Sequence, residues 1–232
     1  MNPVNSQTSS AMYCREGLSV DNPPRRFIAP VAVALVVATL IYSGSFVLGN
    51  ATMIVIGGSA AIAYFIWLMT AWRRPIDPSM VTLPYLALIA MELVHMGEEQ
   101  LSDFPGSLGR IFPIPHSFNL VMHAVLLMGV VNAVALLAAL GIRSSKSVIR
   151  QIAGYIMWFY VIGPGMVNAV AHVTFPFVAH TLYFSGLITV ILPTIAGIVT
   201  LTRLLKSDAR ARSSEVRRRS TEAALSTGSA KA

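Results

Sequence analysis

The chain is poor in cysteine and in charged residues, and both deficits exclude whole classes of protein. Its 232 residues include one cysteine, Cys14, which supports no disulfide framework, zinc knuckle or iron–sulfur cluster and is interpreted as a spare surface thiol. Only 12% of the residues are charged while 55% are hydrophobic, whereas a soluble domain carries roughly 25% charged residues. The composition therefore indicates a membrane protein.

Several catalytic and binding signatures are also missing from the sequence. It contains no serine-nucleophile elbow, phosphate-cradling loop or dinucleotide fingerprint. The formal net charge is +7, but the basic residues lie in loops and tails without interleaved aromatics, so nucleic acid is not an expected partner. No cleavable signal peptide is expected, because the apolar run after the polar residues 1–26 is too long for one.

Six apolar segments are long enough for a bilayer, which needs about 20 helical residues. They run approximately over 27–48, 52–72, 80–101, 117–141, 150–173 and 181–203. These segments predict an all-α, polytopic membrane helix bundle at residues 27–205, between a polar N-terminal tail (1–26) and a basic, disordered C-terminal tail (206–232). Gly163-Pro164-Gly165 is expected to loosen or kink the fifth span. Small-residue faces serve contacts within a chain as well as between chains, so no oligomeric state is predicted.

The basic residues predict the orientation of this bundle. With alternating topology, 16 of the 17 lysines and arginines lie on one side of the membrane, and only Arg110 lies on the other. Lysine and arginine prefer cytoplasmic loops. Both termini are therefore expected in the cytoplasm.

Polar residues gather in the non-cytoplasmic half of the predicted bundle, which contains all five histidines. The third span ends with Glu92-Leu-Val-His95-Met-Gly-Glu98-Glu99. At about 100° per residue, Glu92, His95 and Glu99 share roughly 60° of arc, which Glu98 widens to about 120°. Asn168 and His172 share a face of the fifth span in the same way. Ionisable side chains are expensive in a bilayer, so these residues predict a functional site.

The residue types in this cluster suit a metal ion. Imidazole and carboxylate together are ligands of zinc and of non-haem iron. We expect one metal, held by His95, Glu99 and His172, with His123 as a further candidate ligand. Glu98 or Glu92 would serve as a general base toward a bound water, and Asn168 would orient a ligand. Glu92-x-x-His95 also has the spacing of di-iron bundles, but the second pair that such a site needs is absent.

Simpler interpretations stay open for several of these side chains. Glu98 and Glu99 are equally interpretable as solvated carboxylates at the membrane interface, and His123 as one half of a hydrogen bond between helices. His116 follows two prolines and is expected to be a wet loop residue. His180 is interpreted either as an interface residue or as a ligand.

The two polar elements together resemble a known family. His95-Met-Gly-Glu98-Glu99 is similar to the His-x-x-Glu-Glu signature of the HXXEE-motif membrane proteins, a bacterial family. That family looks to carry an Asn-x-x-x-His helix followed by a Tyr-x-Pro-Gly-x-x-Thr-like segment. Here Asn168-Ala-Val-Ala-His172 is followed by Tyr183-Phe-Ser-Gly186-Leu-Ile-Thr189, with serine in place of the proline. The resemblance covers roughly residues 80–205 and implies a joint role for both elements in a bacterial inner membrane, without implying a reaction.

Three functions fit these observations. The first is a membrane-embedded metalloenzyme, a hydrolase or a non-haem-iron oxidoreductase, acting on a lipid or another hydrophobic small molecule. The second is a metal-ion or proton transporter, which needs polar residues continuing to the cytoplasmic side, where the spans look dry. The third is a non-catalytic assembly or partner protein whose polar cluster ties helices together. Membrane lipids are expected contacts in all three cases.

Overall fold

The computed structural model describes residues 27–229, and within that range the protein is helical and contains no β-strand. The predicted N-terminal tail at residues 1–26, with Cys14, lies outside the described residues, as do residues 230–232. The helices are α1 (Ile28–Leu48), α2 (Asn50–Met69), α3 (Pro78–Leu101), α4 (Phe104–Gly109), α5 (Leu120–Gly141), α6 (Ser147–Val178) and α7 (Ile191–Ser229).

Four of these helices are long and apolar enough to cross a membrane. They are α1 over Ile28–Phe46 and the whole of α3, α5 and α6. In α2 the apolar stretch Met53–Met69 is shorter. A polytopic helical membrane protein is therefore indicated, while the count of six spans stays a prediction.

The last predicted span, 181–203, differs from the structure at its start. The chain between α6 and α7 forms turns, and α7 begins only at Ile191. Two causes are visible. Gly186 has a φ of +87°, which no right-handed helix contains. The backbone N–H groups of Ile188 and Thr189 donate to the Glu98 carboxylate instead of to helix carbonyls. The spacing of the apolar residues indicates neither of these two causes.

The expected disorder of the C-terminal tail is corrected as far as Ser229, where α7 ends. Residues 206–229 include five arginines and four alanines, which are strong helix formers. Pairs one turn apart add support, such as Arg212 with Asp208 and Arg219 with Glu215. The Ser/Ala/Arg-rich composition without aromatics had been interpreted as disorder, but helix propensity dominates here.

Helix packing brings the predicted site residues of α3 and α6 together. Helix α7 packs along α3, α6 packs between α2 and α5, and α5 also contacts α3. Helices α6 and α7 touch through their backbones, because a Cβ on Gly197 would lie 2.9 Å from the Cα of Gly165. The core below the site contains large buried rings, including Trp67, Tyr85 and Trp158.

Two helices contain wide π-helical stretches near the predicted site residues. In α5 the stretch is His123–Val131, and in α6 it is Gly163–Val167, which directly precedes Asn168. The expectation that Gly163-Pro164-Gly165 loosens this helix is confirmed. Such wide turns in α-helices are frequently found at functional sites.

Candidate metal centre

One face of α3 carries the site. Asp77 caps the helix by accepting a hydrogen bond from the Ser79 N–H, and Pro78 occupies its first turn, where proline costs no hydrogen bond. Toward the other end, Glu92, His95 and Glu99 follow one another at helical spacing, and each is at least 96% buried. The predicted common face of these three residues is confirmed.

Glu99 lies at the centre of three histidines. Its Oε1 is 2.9 Å from His172 Nε2 and 3.5 Å from His95 Nε2, and its Oε2 is 3.0 Å from His123 Nε2. No lysine or arginine among residues 27–229 pairs with this carboxylate. A buried carboxylate in a membrane protein requires such partners, and here imidazoles provide them.

His95, Glu99 and His172 form the group that fits a metal ion. One ligand atom from each lies within 4.8 Å of the others, and ligand atoms on a tetrahedral zinc are separated by about 3.3 Å. Both ring nitrogens of the fully buried His172 lack a hydrogen-bond partner. Its Nε2 is close to Glu99 but is not aligned for a hydrogen bond, so a cation between the two would satisfy both groups.

The tautomer of His95 follows from its neighbours. Thr189 Oγ1 donates its single proton to Glu98 Oε2 over 2.6 Å, so it accepts from His95 Nδ1, 3.2 Å away. With the proton on Nδ1, the Nε2 lone pair faces Glu99 and His172 and is free for a metal. The amide nitrogen of Asn168 lies 3.0 Å from this Nε2 and must withdraw when Nε2 binds a cation.

Glu98 has a different place from the one we expected. Oε1 accepts from Tyr183 OH and Ile188 N, while Oε2 accepts from the backbone and hydroxyl of Thr189. Both oxygens thus bind the segment 183–189 rather than face His172. Glu98 therefore orients His95 through Thr189, and the structure does not place it as a base at the metal site.

His123 is joined to Glu99 by a hydrogen bond between helices, one of the two interpretations left open. Its Nε2 contacts Glu99 Oε2, and its Nδ1 lies 3.0 Å from Gln100 Oε1. A neutral ring satisfies both contacts when the Gln100 amide is rotated so that its NH₂ donates. With both nitrogens engaged in this way, His123 positions the carboxylate, and its direct ligation of a metal stays a prediction.

Gly186, in the segment before α7, packs its backbone against the two histidine rings of the site. A Cβ at this position would lie 2.6 Å from His172 Cε1 and 2.8 Å from His95 Cε1. Its φ of +87° is also in the region that favours glycine. Only glycine therefore allows the backbone to lie against both rings and exclude water.

No family model, curated protein or solved structure matches the chain. The resemblance to the HXXEE-motif family stays a prediction that rests on the residues quoted above.

Glu92 faces a cavity beside the cluster. The cavity has a volume of about 150 Å³ and a largely apolar wall, in which Glu92, Glu99 and Asn168 are the acidic and amide side chains. Glu92 is 1% exposed, and its Oε2 has no hydrogen-bond partner. Phe104 of α4 lines the same cavity, and its ring centre is 5.6 Å from the rings of His123 and His172.

Sequence reasoning missed several side chains that complete the site. Gln100 directly follows the motif, yet nothing in its type marked it as the partner of His123. Tyr183 and Thr189 lie in the second block of the family resemblance, which was the available signal for them. His116 and His180 are exposed and lie outside the cluster.

Proposed function

We propose that the protein is an integral membrane metalloenzyme that acts on a lipid or another hydrophobic small molecule. The metal, zinc or non-haem iron, is held by His95, Glu99 and His172. The observation that carries the proposal is the buried, unsatisfied imidazole of His172 beside the Glu99 carboxylate. Two imidazoles and one carboxylate are the ligand set of hydrolytic zinc sites and of non-haem iron oxygenases.

The chain supplies the base and the positioning groups for such chemistry. When bound, the metal supplies Lewis acidity toward a water or an ester carbonyl, or, as iron, redox chemistry. Glu92 is the base, because it has an unsatisfied buried oxygen in the cavity that adjoins the cluster. Asn168 lines the same cavity and is placed to hydrogen-bond a substrate once it has withdrawn from His95.

The cavity wall favours a lipophilic substrate. Helix α2 contributes Val55 and Ile56 to it, and α5 contributes Leu127 and Val131. The backbones of these two helices are not packed closely against each other. We infer that an acyl or isoprenoid-like chain reaches the cavity sideways from the bilayer, between α2 and α5.

The proposal includes an orientation and a location. Six spans with both termini in the cytoplasm place the cluster near the non-cytoplasmic face of a bacterial inner membrane. The distribution of lysine and arginine supports this orientation. The likeness to the HXXEE motif supports the bacterial origin.

Metal content is the decisive measurement for this proposal. The wild-type protein, purified in mild detergent without chelators, is expected to contain about one metal ion per chain by elemental analysis. His95→Ala and Glu99→Ala are expected to lose it. His116→Ala is the matched control, since His116 is an exposed loop residue. Metal-free wild-type protein that does not take up zinc or iron on addition would refute the proposal.

Turnover is tested separately with Glu92→Gln. The variant is expected to keep its metal and to lose activity, because the amide cannot take a proton. The assay compares the lipids of membrane extracts by mass spectrometry after incubation with the metal-loaded wild type or variant. Identical product profiles for the two would remove Glu92 from the chemistry.

One observation favours transport as a second candidate. Further buried polar groups lie deeper in the bundle: Tyr160 donates to Asn132, and the Tyr85 ring is 5.8 Å from that of Tyr160. These residues make the interior less dry than the sequence suggested. Metal-ion or proton flux into proteoliposomes that Glu99→Ala abolishes would favour this candidate, and absence of flux would favour the enzyme.

A further inference from the structure

A second recess lies on the outer side of α4, away from the metal centre. It has a volume of about 350 Å³ and is open on one side. Ser107 and Arg110 of α4 line it together with His180, Thr181 and Tyr183 of the segment after α6. Leu108, on the other side of the same short helix, lines the inner cavity instead. We call this recess the outer cleft.

Arg110 gives the outer cleft a positive charge that no acidic residue among 27–229 neutralises. It is exposed, and no described acidic residue forms an ion pair with it. Arg74 and Arg212, at the other end of the bundle, are both paired with Asp208. No carboxylate lines the cleft. A free guanidinium is the side chain best suited to bind a phosphate oxygen pair.

His180 occupies a backbone position that ordinarily belongs to glycine. It follows the end of α6 with a φ of +51°, and Asp103 is the other non-glycine residue with positive φ among residues 27–229. Glycine is preferred where a helix ends in this left-handed conformation. A histidine there costs backbone strain, and such strain is found where a side chain has a function. The His180 side chain lines the cleft beside Arg110.

The Ser107 hydroxyl adds a hydrogen-bond donor to the same recess. The hydroxyl protons of Tyr183 and Thr181 are already donated, to Glu98 and to the Tyr183 carbonyl, so these two side chains line the recess without donating to a ligand. The Ser107 side chain is half-buried. The Arg110 guanidinium, the His180 imidazole and the Ser107 hydroxyl, with no acidic side chain in the lining, form a set that recognises an anion.

Apolar side chains around the outer cleft indicate where that anion comes from. Val178 lines the cleft and is 48% exposed, Phe177 next to it is 76% exposed, and Leu182 is 100% exposed. Free phosphate gives such side chains nothing to contact, whereas acyl chains cover them. We propose that the outer cleft binds the phosphate group of a membrane phospholipid. This proposal does not depend on a metal or on catalysis at the inner site.

Lipid-dependent thermal unfolding in neutral detergent tests the proposal on the full chain. The probes are dioleoyl phosphatidylglycerol, dioleoylglycerol with the same acyl chains, and inorganic phosphate. Phosphatidylglycerol is expected to raise the Tm of the wild type in a saturable manner, and the other two probes are not. Arg110→Gln is expected to weaken the apparent affinity by roughly 10- to 100-fold, the effect of losing a charged hydrogen-bond donor. Arg143→Gln, an exposed arginine at the opposite end, is the matched control.

His180→Gly separates a binding role from a purely structural one. Glycine relieves the left-handed backbone, so the lipid-free Tm is expected to stay equal or to rise, while lipid affinity falls. This variant also serves if Arg110→Gln does not purify in folded form. Equal responses to both lipids, or unchanged affinity in either cleft variant, would overturn the proposal. Inorganic phosphate acting as strongly as the phospholipid would overturn the lipid as its source.

Discussion

Replacing Thr189 by valine tests whether the metal centre depends on its outer hydrogen bonds. The Thr189 hydroxyl accepts from His95 Nδ1 and donates to Glu98 Oε2, at 3.2 and 2.6 Å. Valine has nearly the same shape but neither function. Glu98 keeps its bonds to Tyr183 and to two backbone N–H groups, so the segment before α7 is expected to stay in place.

The size of the effect follows from burial. His95 is 0% exposed, so water has no access to replace the lost acceptor. Its ring then has no partner that keeps the proton on Nδ1 and the Nε2 lone pair toward the metal. Loss of such an outer partner typically weakens metal binding by about 10- to 100-fold, which corresponds to about 1.4–2.7 kcal/mol.

The assay is a competition titration of the purified protein against a chromophoric zinc chelator. Thr194→Val is the control, because Thr194 lies five residues further on and donates only to the Val190 carbonyl of its own chain segment. We expect the control to bind zinc like the wild type. A folded Thr189→Val protein with wild-type zinc affinity, or an equal loss in both variants, would refute the inferred tautomer of His95.

Three further predictions concern other contacts. Gly186→Ala is expected to abolish metal binding and lower the Tm, since its Cβ meets two imidazole rings at under 3 Å; wild-type metal content would contradict this. His123→Ala should weaken zinc affinity about tenfold without abolishing it, whereas His116→Ala should leave it unchanged in the same titration. Asp208→Asn should lower stability by about 1 kcal/mol through the 2.9 Å ion pair with Arg74, measured by thermal unfolding; a Tm equal to the wild type would contradict that contribution.

Local periodicity explains what was predictable. Glu92, His95 and Glu99 are one helical face at about 100° per residue, so their shared direction needed no knowledge of the fold. The meeting of Glu99 with His172 followed from both residues lying near the C-terminal ends of helices that run in the same direction across the predicted membrane. The helical elements were likewise readable from apolar segments of membrane length.

The unpredicted parts depend on the irregular backbone and on non-local pairing. Glu98 turned away from the cluster because two backbone N–H groups, invisible in the sequence, face it from residues 188 and 189. His123 was ambiguous because ligation and hydrogen bonding place the same residue type at the same depth. The helical C-terminal segment was missed because a Ser/Ala/Arg-rich composition without aromatics was weighed above helix propensity.

The wide turn at Gly163–Val167 sets the angular phase of the second half of α6. Before it, Tyr160 and Trp158 face the buried core, and after it His172 faces Glu99. Removing one residue from the turn would restore a regular helix and carry His172 about 100° around the axis. The wide turn holds one residue more than a regular helical turn. Because of this extra residue, one helix presents its first half to the core and its second half to the candidate metal centre.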